Sequence, residues 1–443
     1  MRFILVCALA LGLVSAPAAP AATCTWSQGW VKAENSKAGA SGWDADIPLR
    51  FSADFSRRKA VARVEGYFDR TSIGCGEIAK LTVVGAKTAD LLVYRIGFYH
   101  GDGARLVATV KSAKSFTATS NTPPGQYLVK LVSPGRVSTF VPLLIRGSNK
   151  SEVTFISSVL TWQAYNQWGG TSLYKGSDGK RESRATNVSF NRPYDGDGSG
   201  QFRYMEQPLV QMMEQIGLDI NYLTDVDLNK SSAIDSASII FGGHSEFWTE
   251  PMREVVEKSI NTGTNLLIFG GNTAYAKTNL NGRRMSNRIP YREISKPESE
   301  FIGSQFFALG INKDLEVQSG DTWPFKSLGA EAKIKGIYGY EADTAMGTVG
   351  PGVEVLARAS ISPTEKGFVA MSTYYSAPSG AGVLNLGTNA WVCALANRCP
   401  WGHSFSATDV HQLRLVTAAI LKQANRPRIG NWRVARIDIP ARP

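Results

Sequence analysis

The stretch Ser236–Asn272, SASIIFGGHSEFWTEPMREVVEKSINTGTNLLIFGGN, decides how the chain folds. SASIIFGG and NLLIFGG at its two ends are short apolar runs closed by paired glycines, and EPMREVVEKSINTG between them has helical spacing and stops at Gly263. Strand, helix and strand, with the strands apolar throughout, make a parallel βαβ unit. Each strand delivers polar residues directly from its carboxyl end: His244-Ser245-Glu246-Phe247-Trp248 after the first and Asn272 after the second. In an open parallel sheet ligands bind in the crevice beyond those ends, so His244, Glu246 and Asn272 are expected to face one space. A histidine, a carboxylate and an amide there could act as base, metal ligand and oxyanion donor. The same residues fit a structural role equally well, with Glu246 near the positive end of the following helix and His244 bonded to backbone.

The alternation extends outward. VTFISS (153–158) reads as a buried strand, MEQPLVQMMEQIG (205–217) as an amphipathic helix stopped by Gly217, and DINYLT (219–224) as another strand. Downstream, residues 275–350 have no assignable period, GFVAM and GVLNLG read as strands, and TDVHQLRLVTAAILKQ as a last helix capped by Thr408 or Asp409. Upstream, from Lys59 to Arg146, period-two runs such as LLVYRIGFYH, QYLVKLV and STFVPLLIRG are separated by Gly, Pro, Asn and Ser clusters. These predict an N-terminal β-sandwich followed by an open, mostly parallel α/β domain. The expected boundaries are 1–22 for a leader, 23–150 for the sandwich, 151–425 for the α/β domain, with GSNKSE as linker, and 426–443 for an extended tail.

The leader MRFILVCALALGLVSAPAAPAA has a positive start, an apolar run from Phe3 to Val14 and small residues at its end, the pattern of a secretory signal. The mature chain is expected to be secreted or periplasmic. Cys24, Cys75, Cys393 and Cys399 then remain; the pairing expected from sequence locality is Cys24–Cys75 and Cys393–Cys399. The formal net charge of +11 sits mainly in residues 23–150, where 18 Lys plus Arg face 9 Asp plus Glu. That excess suits an anionic cell-surface polymer as partner, or simply the wet faces of a β domain; zinc-finger spacing is absent and no nucleic-acid partner is expected. A homo-oligomer is compatible with all of this.

The sequence contains no H-E-x-x-H, G-x-S-x-G, P-loop or G-x-G-x-x-G after a strand, which excludes the common zinc proteases, serine hydrolases and dinucleotide enzymes as first readings. Four histidines exclude a histidine-rich metal site. Aromatics and amides instead crowd Thr161-Trp162-Gln163-Ala164-Tyr165-Asn166-Gln167-Trp168-Gly169-Gly170 and Ser172-Leu173-Tyr174, a segment that serves either as a ligand loop or as an aromatic plug between domains. Asn191-Arg192-Pro193-Tyr194 follows. Asp195 and Asp197 fall short of calcium-loop spacing.

Four ordered motifs, Trp162-Gln163-Ala164-Tyr165-Asn166 through Tyr174, Arg192-Pro193-Tyr194, Gly243-His244-x-Glu246-Phe247-Trp248 and Gly270-Gly271-Asn272, resemble the large (β) subunit of N,N-dimethylformamidase and its relatives. RIGFYHGDGARLV and GVLNLGTNAW carry a fainter likeness, and Phe247 stands where the family commonly has Tyr. The resemblance implies one mononuclear ferric iron (Fe3+) per chain, held by Tyr165, Tyr194 and Glu246, hard oxygen donors suited to that ion. It places His244 and Asn272 as proton-handling and substrate-orienting groups. The activity it implies is that of an amidohydrolase acting on non-peptide C–N amide bonds, with a small-molecule or peptide-like amide as substrate. The alternative of another class is a non-catalytic envelope or glycan-binding protein that attaches through the basic sandwich.

Overall fold

A computed structural model describes residues 24–51, 62–147, 152–231, 234–360 and 367–442. The leader, part of the basic stretch 23–150 including Arg57, Arg58 and Lys59, and most of the GSNKSE segment lie outside the described residues. The fold mixes helices with several sheets.

Two sheets occupy the N-terminal region. One is five-stranded, in the order 72–73, 139–145, 125–132, 90–96, 104–110; the other is three-stranded, in the order 65–68, 78–84, 115–117. The period-two pattern explains their packing, because successive side chains leave a strand on opposite faces. Leu91, Val93, Tyr127, Val129, Leu131, Val141, Leu143 and Ile145 turn to a core shared with Phe68, Ala79 and Phe116 of the smaller sheet. Tyr94, Ile96, Leu128, Phe140 and Leu144 turn the other way, into the core of the following α/β region. The five-stranded sheet is therefore a middle layer, which is why the strand Gly125–Val132 is buried along nearly its whole length.

A nine-stranded sheet forms the rest of the scaffold, in the order 220–224, 153–157, 238–241, 265–268, 382–385, 371–376, 354–359, 313–317, 333–338. From 220–224 to 382–385 every pairing is parallel; from 382–385 onward every pairing is antiparallel. The expectation of a mostly parallel sheet is corrected to a mixed one. The reason lies in residues 275–376, which supply antiparallel strands joined without helical crossovers, whereas the parallel half is wound with helices Gln207–Ile216 and Glu250–Thr262. Both helices stop where expected, at Gly217 (φ 83°) and Gly263 (φ 105°), left-handed positions that glycine adopts without strain. The last helix, Ala407–Leu421, starts two or three residues earlier than expected: Ser406 Oγ accepts from the Asp409 amide at 3.1 Å and is the cap. The tail includes a short helix, Ile429–Trp432, and bridges Val353 through Ile439.

A buried polar network locks the middle layer to the α/β region. Arg95 donates to both oxygens of Glu214 at 2.6 and 2.8 Å, with neither side chain exposed. Tyr222 (2.7 Å) and Asn35 (2.8 Å) donate to the same carboxylate. The disulfides Cys24–Cys75 and Cys393–Cys399 form in the expected pairing. Among the described residues no helix is long and apolar enough to cross a membrane.

Candidate active site

In chain order the strand 153–157 comes first, 220–224 adds to one side of it and 238–241 to the other, so the winding reverses between 153–157 and 238–241. The carboxyl ends at such a switch point open a crevice, and the predicted residues gather there.

From the first strand the chain enters the helix Val159–Tyr165. Two buried carboxyls hold its start: Glu206 accepts from the Ser158 amide (3.0 Å) and the Trp162 indole N–H (3.1 Å), and Asp225 from the Leu160 amide (2.8 Å). Tyr165 is the helix's last residue. From the strand 238–241 the chain passes through Gly242 and Gly243 to His244 and Glu246. A Cβ at Gly242 would stand 2.7 Å from the Met205 carbonyl oxygen, so only glycine lets the strand end pass this close. The Phe247 amide is pinned to Thr161 Oγ1 at 3.1 Å, which ties the Glu246 loop to the helix bearing Tyr165.

Glu246 is the centre of the cluster. Its Oε2 accepts from Tyr165 Oη at 2.8 Å and, in a very short contact, from Tyr174 Oη; its Oε1 accepts from Arg288 Nη2 at 3.1 Å. The two tyrosine rings stack 4.2 Å apart. Burial and the Glu246 carboxylate push both phenols well above the usual tyrosine range, and burial together with the Glu341 charge raises Glu246. His244 is fixed on its other side by Gln201, Nδ1 to Oε1 2.9 Å, which leaves Nε2 facing Glu341 Oε2 at 3.1 Å and Glu246 Oε2 at 3.7 Å. Burial opposes charge on His244, but Glu341 and Glu246 outweigh it and raise its pKa. Glu341 is held by a very short hydrogen bond from Asn389 Nδ2, and Asn389 Oδ1 accepts the Gly271 amide at 2.9 Å.

The ligand atoms of His244, Glu246 and Glu341 lie within 4.8 Å of one another, all three residues are buried, and together they could hold a metal ion. Tyr165 and Tyr174 bring two phenol oxygens to the same carboxylate, so a donor set of two tyrosines and one glutamate is also assembled.

Asn272 lies next to Gly271, which bridges to His244 across the strand ends. Its backbone is left-handed (φ 54°), its amide donates to Asp343 Oδ1 at 2.8 Å, and its buried Oδ1 has no hydrogen-bond partner. Tyr194 is not brought to Glu246. The Arg192-Pro193 turn is tied to the far side of the helix, Arg192 Nη2 to Gln163 O at 2.9 Å and Asn166 Nδ2 to Pro193 O at 2.9 Å. Tyr194 there packs edge-on against Trp162, 6.2 Å between ring centres, and lines a small pocket with Tyr67, Gln126 and Arg283. The second tyrosine at Glu246 is Tyr174, which stands within the aromatic segment quoted above without having been singled out. Glu341, Arg288 and Gln201 carried no sequence signal, because each is far along the chain from Glu246, and Asn389 stood within the faintly similar GVLNLGTNAW without having been singled out.

A family model described as N,N-dimethylformamidase beta subunit-like, C-terminal, matches residues 90–401, which contain every residue of this cluster. No curated protein matches the chain. With more than two thirds of its length inside that match, the chain belongs to the N,N-dimethylformamidase beta subunit-like, C-terminal family.

Proposed function

We propose that the protein is an exported hydrolase of C–N amide bonds whose cofactor is a single ferric iron. The observation that carries this reading is the convergence of Tyr165, Tyr174 and Glu246 oxygens beside a buried His244–Glu341 pair. The donor set fits the ion: three hard oxygens, two of them phenols that burial and Glu246 keep protonated unless a strongly charged cation displaces the protons. Tyr165, Tyr174 and Glu246 Oε2 would hold the iron. When bound, the ion supplies Lewis acidity toward an amide carbonyl and a water.

The chain's own residues do the rest. Glu341 Oε2 takes the proton from the attacking water, and His244 Nε2, 3.1 Å away, carries a proton to the departing amine nitrogen. The Gln201 contact fixes the imidazole so that Nε2 faces the reaction. Asn272, with its carboxamide oxygen unpartnered, orients the substrate amide N–H. The layout we read here is an N-terminal β-sandwich carrying an α/β domain, and the two disulfides support folding in an oxidising compartment, periplasmic or extracellular.

The test is iron content with an absorption spectrum on wild type and Glu246→Ala, expressed with disulfides intact, followed by a screen over small and peptide-like amides. One iron per chain, a visible tyrosinate-to-iron band lost in the variant, and amine release support the reading. A folded wild type without metal or amide turnover refutes it and favours a binding protein that uses the crevice as a pocket.

A further inference from the structure

We infer that Arg288 is a positioning residue for the proposed iron centre: it fixes which oxygen of Glu246 faces the ion and makes the two tyrosinates unequal donors. The inference rests on the iron reading and adds to it a residue that contacts two of the three donors from outside. Arg288 sits on the strand Arg284–Pro290, its guanidinium 5.1 Å from the ring centres of both Tyr174 and Tyr275. Its Nη2–H donates to Glu246 Oε1 at 3.1 Å and its Nε–H to Tyr174 Oη at 3.2 Å. Burial disfavours its charge, yet Glu246 and Tyr174 hold it protonated.

Two consequences follow. With Oε1 committed to Arg288, Glu246 offers the ion only Oε2, the oxygen where both tyrosine hydroxyls already meet. And Tyr174 receives an N–H that Tyr165, among the described residues, does not, so the Tyr174 phenolate is the less electron-rich of the pair. The planar guanidinium suits this task because it presents several donors in a rigid fork and does not deprotonate; a lysine ammonium supplies the charge without the fork.

The experiment compares wild type, Arg288→Met and Arg288→Lys, each reconstituted with iron, by iron affinity, the energy of the tyrosinate-to-iron absorption band and a thermal melt for folding. Arg288→Met is expected to lose roughly 10- to 100-fold in iron affinity and to shift the band to longer wavelength, since an unshielded phenolate gives up its electron more readily. Arg288→Lys should recover affinity in part and still show a shifted band. If either folded variant keeps both the wild-type affinity and the wild-type band, the proposal is overturned. If Arg288→Met does not fold, the band position of Arg288→Lys decides alone. A wild type that takes up no iron refutes the iron reading and this proposal with it, whereas an iron-loaded wild type with unchanged variants refutes this proposal only.

Discussion

Glu206→Gln tests the support of the tyrosine helix. Glu206 is wholly buried, and its Oε1 accepts from Ser158 N–H and Trp162 Nε1–H. Burial pushes its pKa from an ordinary 4.5 to about 8. Between those values the folded chain holds a proton that the unfolded chain has released, so stability from this group is full below pH ~4.5 and is lost as pH rises toward 8. The loss is ~1.4 kcal/mol for each pH unit, ~5 kcal/mol over the whole window. Glutamine keeps the acceptor for both donors and cannot titrate. Stability of the wild type relative to Glu206→Gln should therefore fall steadily from pH 4.5 to 8 and level off beyond. Asp225, raised chiefly by burial, remains in both proteins, so only the part of its shift that comes from the Glu206 charge differs between them. The assay is urea unfolding at a series of pH values with disulfides intact. Parallel pH curves for the two proteins would refute the reasoning, because they would mean that Glu206 is ionised in the folded state at little cost.

Four further outcomes are expected. Tyr174→Phe should abolish or strongly shift the visible iron band while Tyr194→Phe leaves it unchanged, read by absorption on iron-loaded protein, since Tyr174 hydrogen-bonds Glu246 whereas Tyr194 packs against Trp162. Glu341→Gln should lower kcat for amide hydrolysis by roughly 100- to 10,000-fold with KM little changed, measured by amine release, because it removes the group facing His244. Arg95→Met should cost about 3–5 kcal/mol in chemical unfolding, since it leaves Glu214 as an uncompensated buried charge. Replacing Cys24 and Cys75 together by Ser should cost about 4 kcal/mol by the same method, from the freed loop of 51-residue separation.

The parallel half of the main sheet was legible because each of its strands is a short apolar run and each helix ends at a glycine, so period and punctuation agree. His244 and Glu246 were legible for the same reason: they stand just beyond the strand 238–241, and topology aims them at the crevice, whereas Tyr165, at the far end of the helix that follows 153–157, was marked by the family resemblance. The antiparallel half was not, since a strand such as Lys313–Val317 is only partly buried and shows no clean alternation, and neither was the separate pair of strands Gln305–Leu309 and Glu341–Thr344. Glu341 is lost with it, because nothing local marks a carboxylate that becomes significant only when Asn389 and His244 close around it. Tyr194 misled for a different reason. The motif Arg192-Pro193-Tyr194 is real, but its rigidity serves to pin the chain against Gln163 and Asn166, and the pinned ring points to the Trp162 side of the helix.

The same crevice also collects buried acidic groups that the proposed charged cofactor would offset. Glu246, Glu341 and Asp343 are all buried around His244 and Asn272, and the cation hydrogen-bonded to Glu246 is Arg288. Burial, with the Glu298 and Glu341 charges adding to it and the hydrogen bonds from Asn272 and Asn385 opposing it, raises Asp343 to about 7, a measure of how strongly the site resists further negative charge. A hydrophobic core would be more stable with apolar residues at every one of these positions, so packing does not account for them. The surrounding structure is built to keep them in place: Asn385 donates to Asp343 at 2.8 Å, Asn389 ties Glu341 to Gly271, and the Thr161–Phe247 bond joins the two loops that carry Tyr165 and Glu246. Acidic side chains held this rigidly in a low-dielectric crevice gain most from a compact positive charge set among them, and the tyrosine oxygens at Glu246 mark where it would sit.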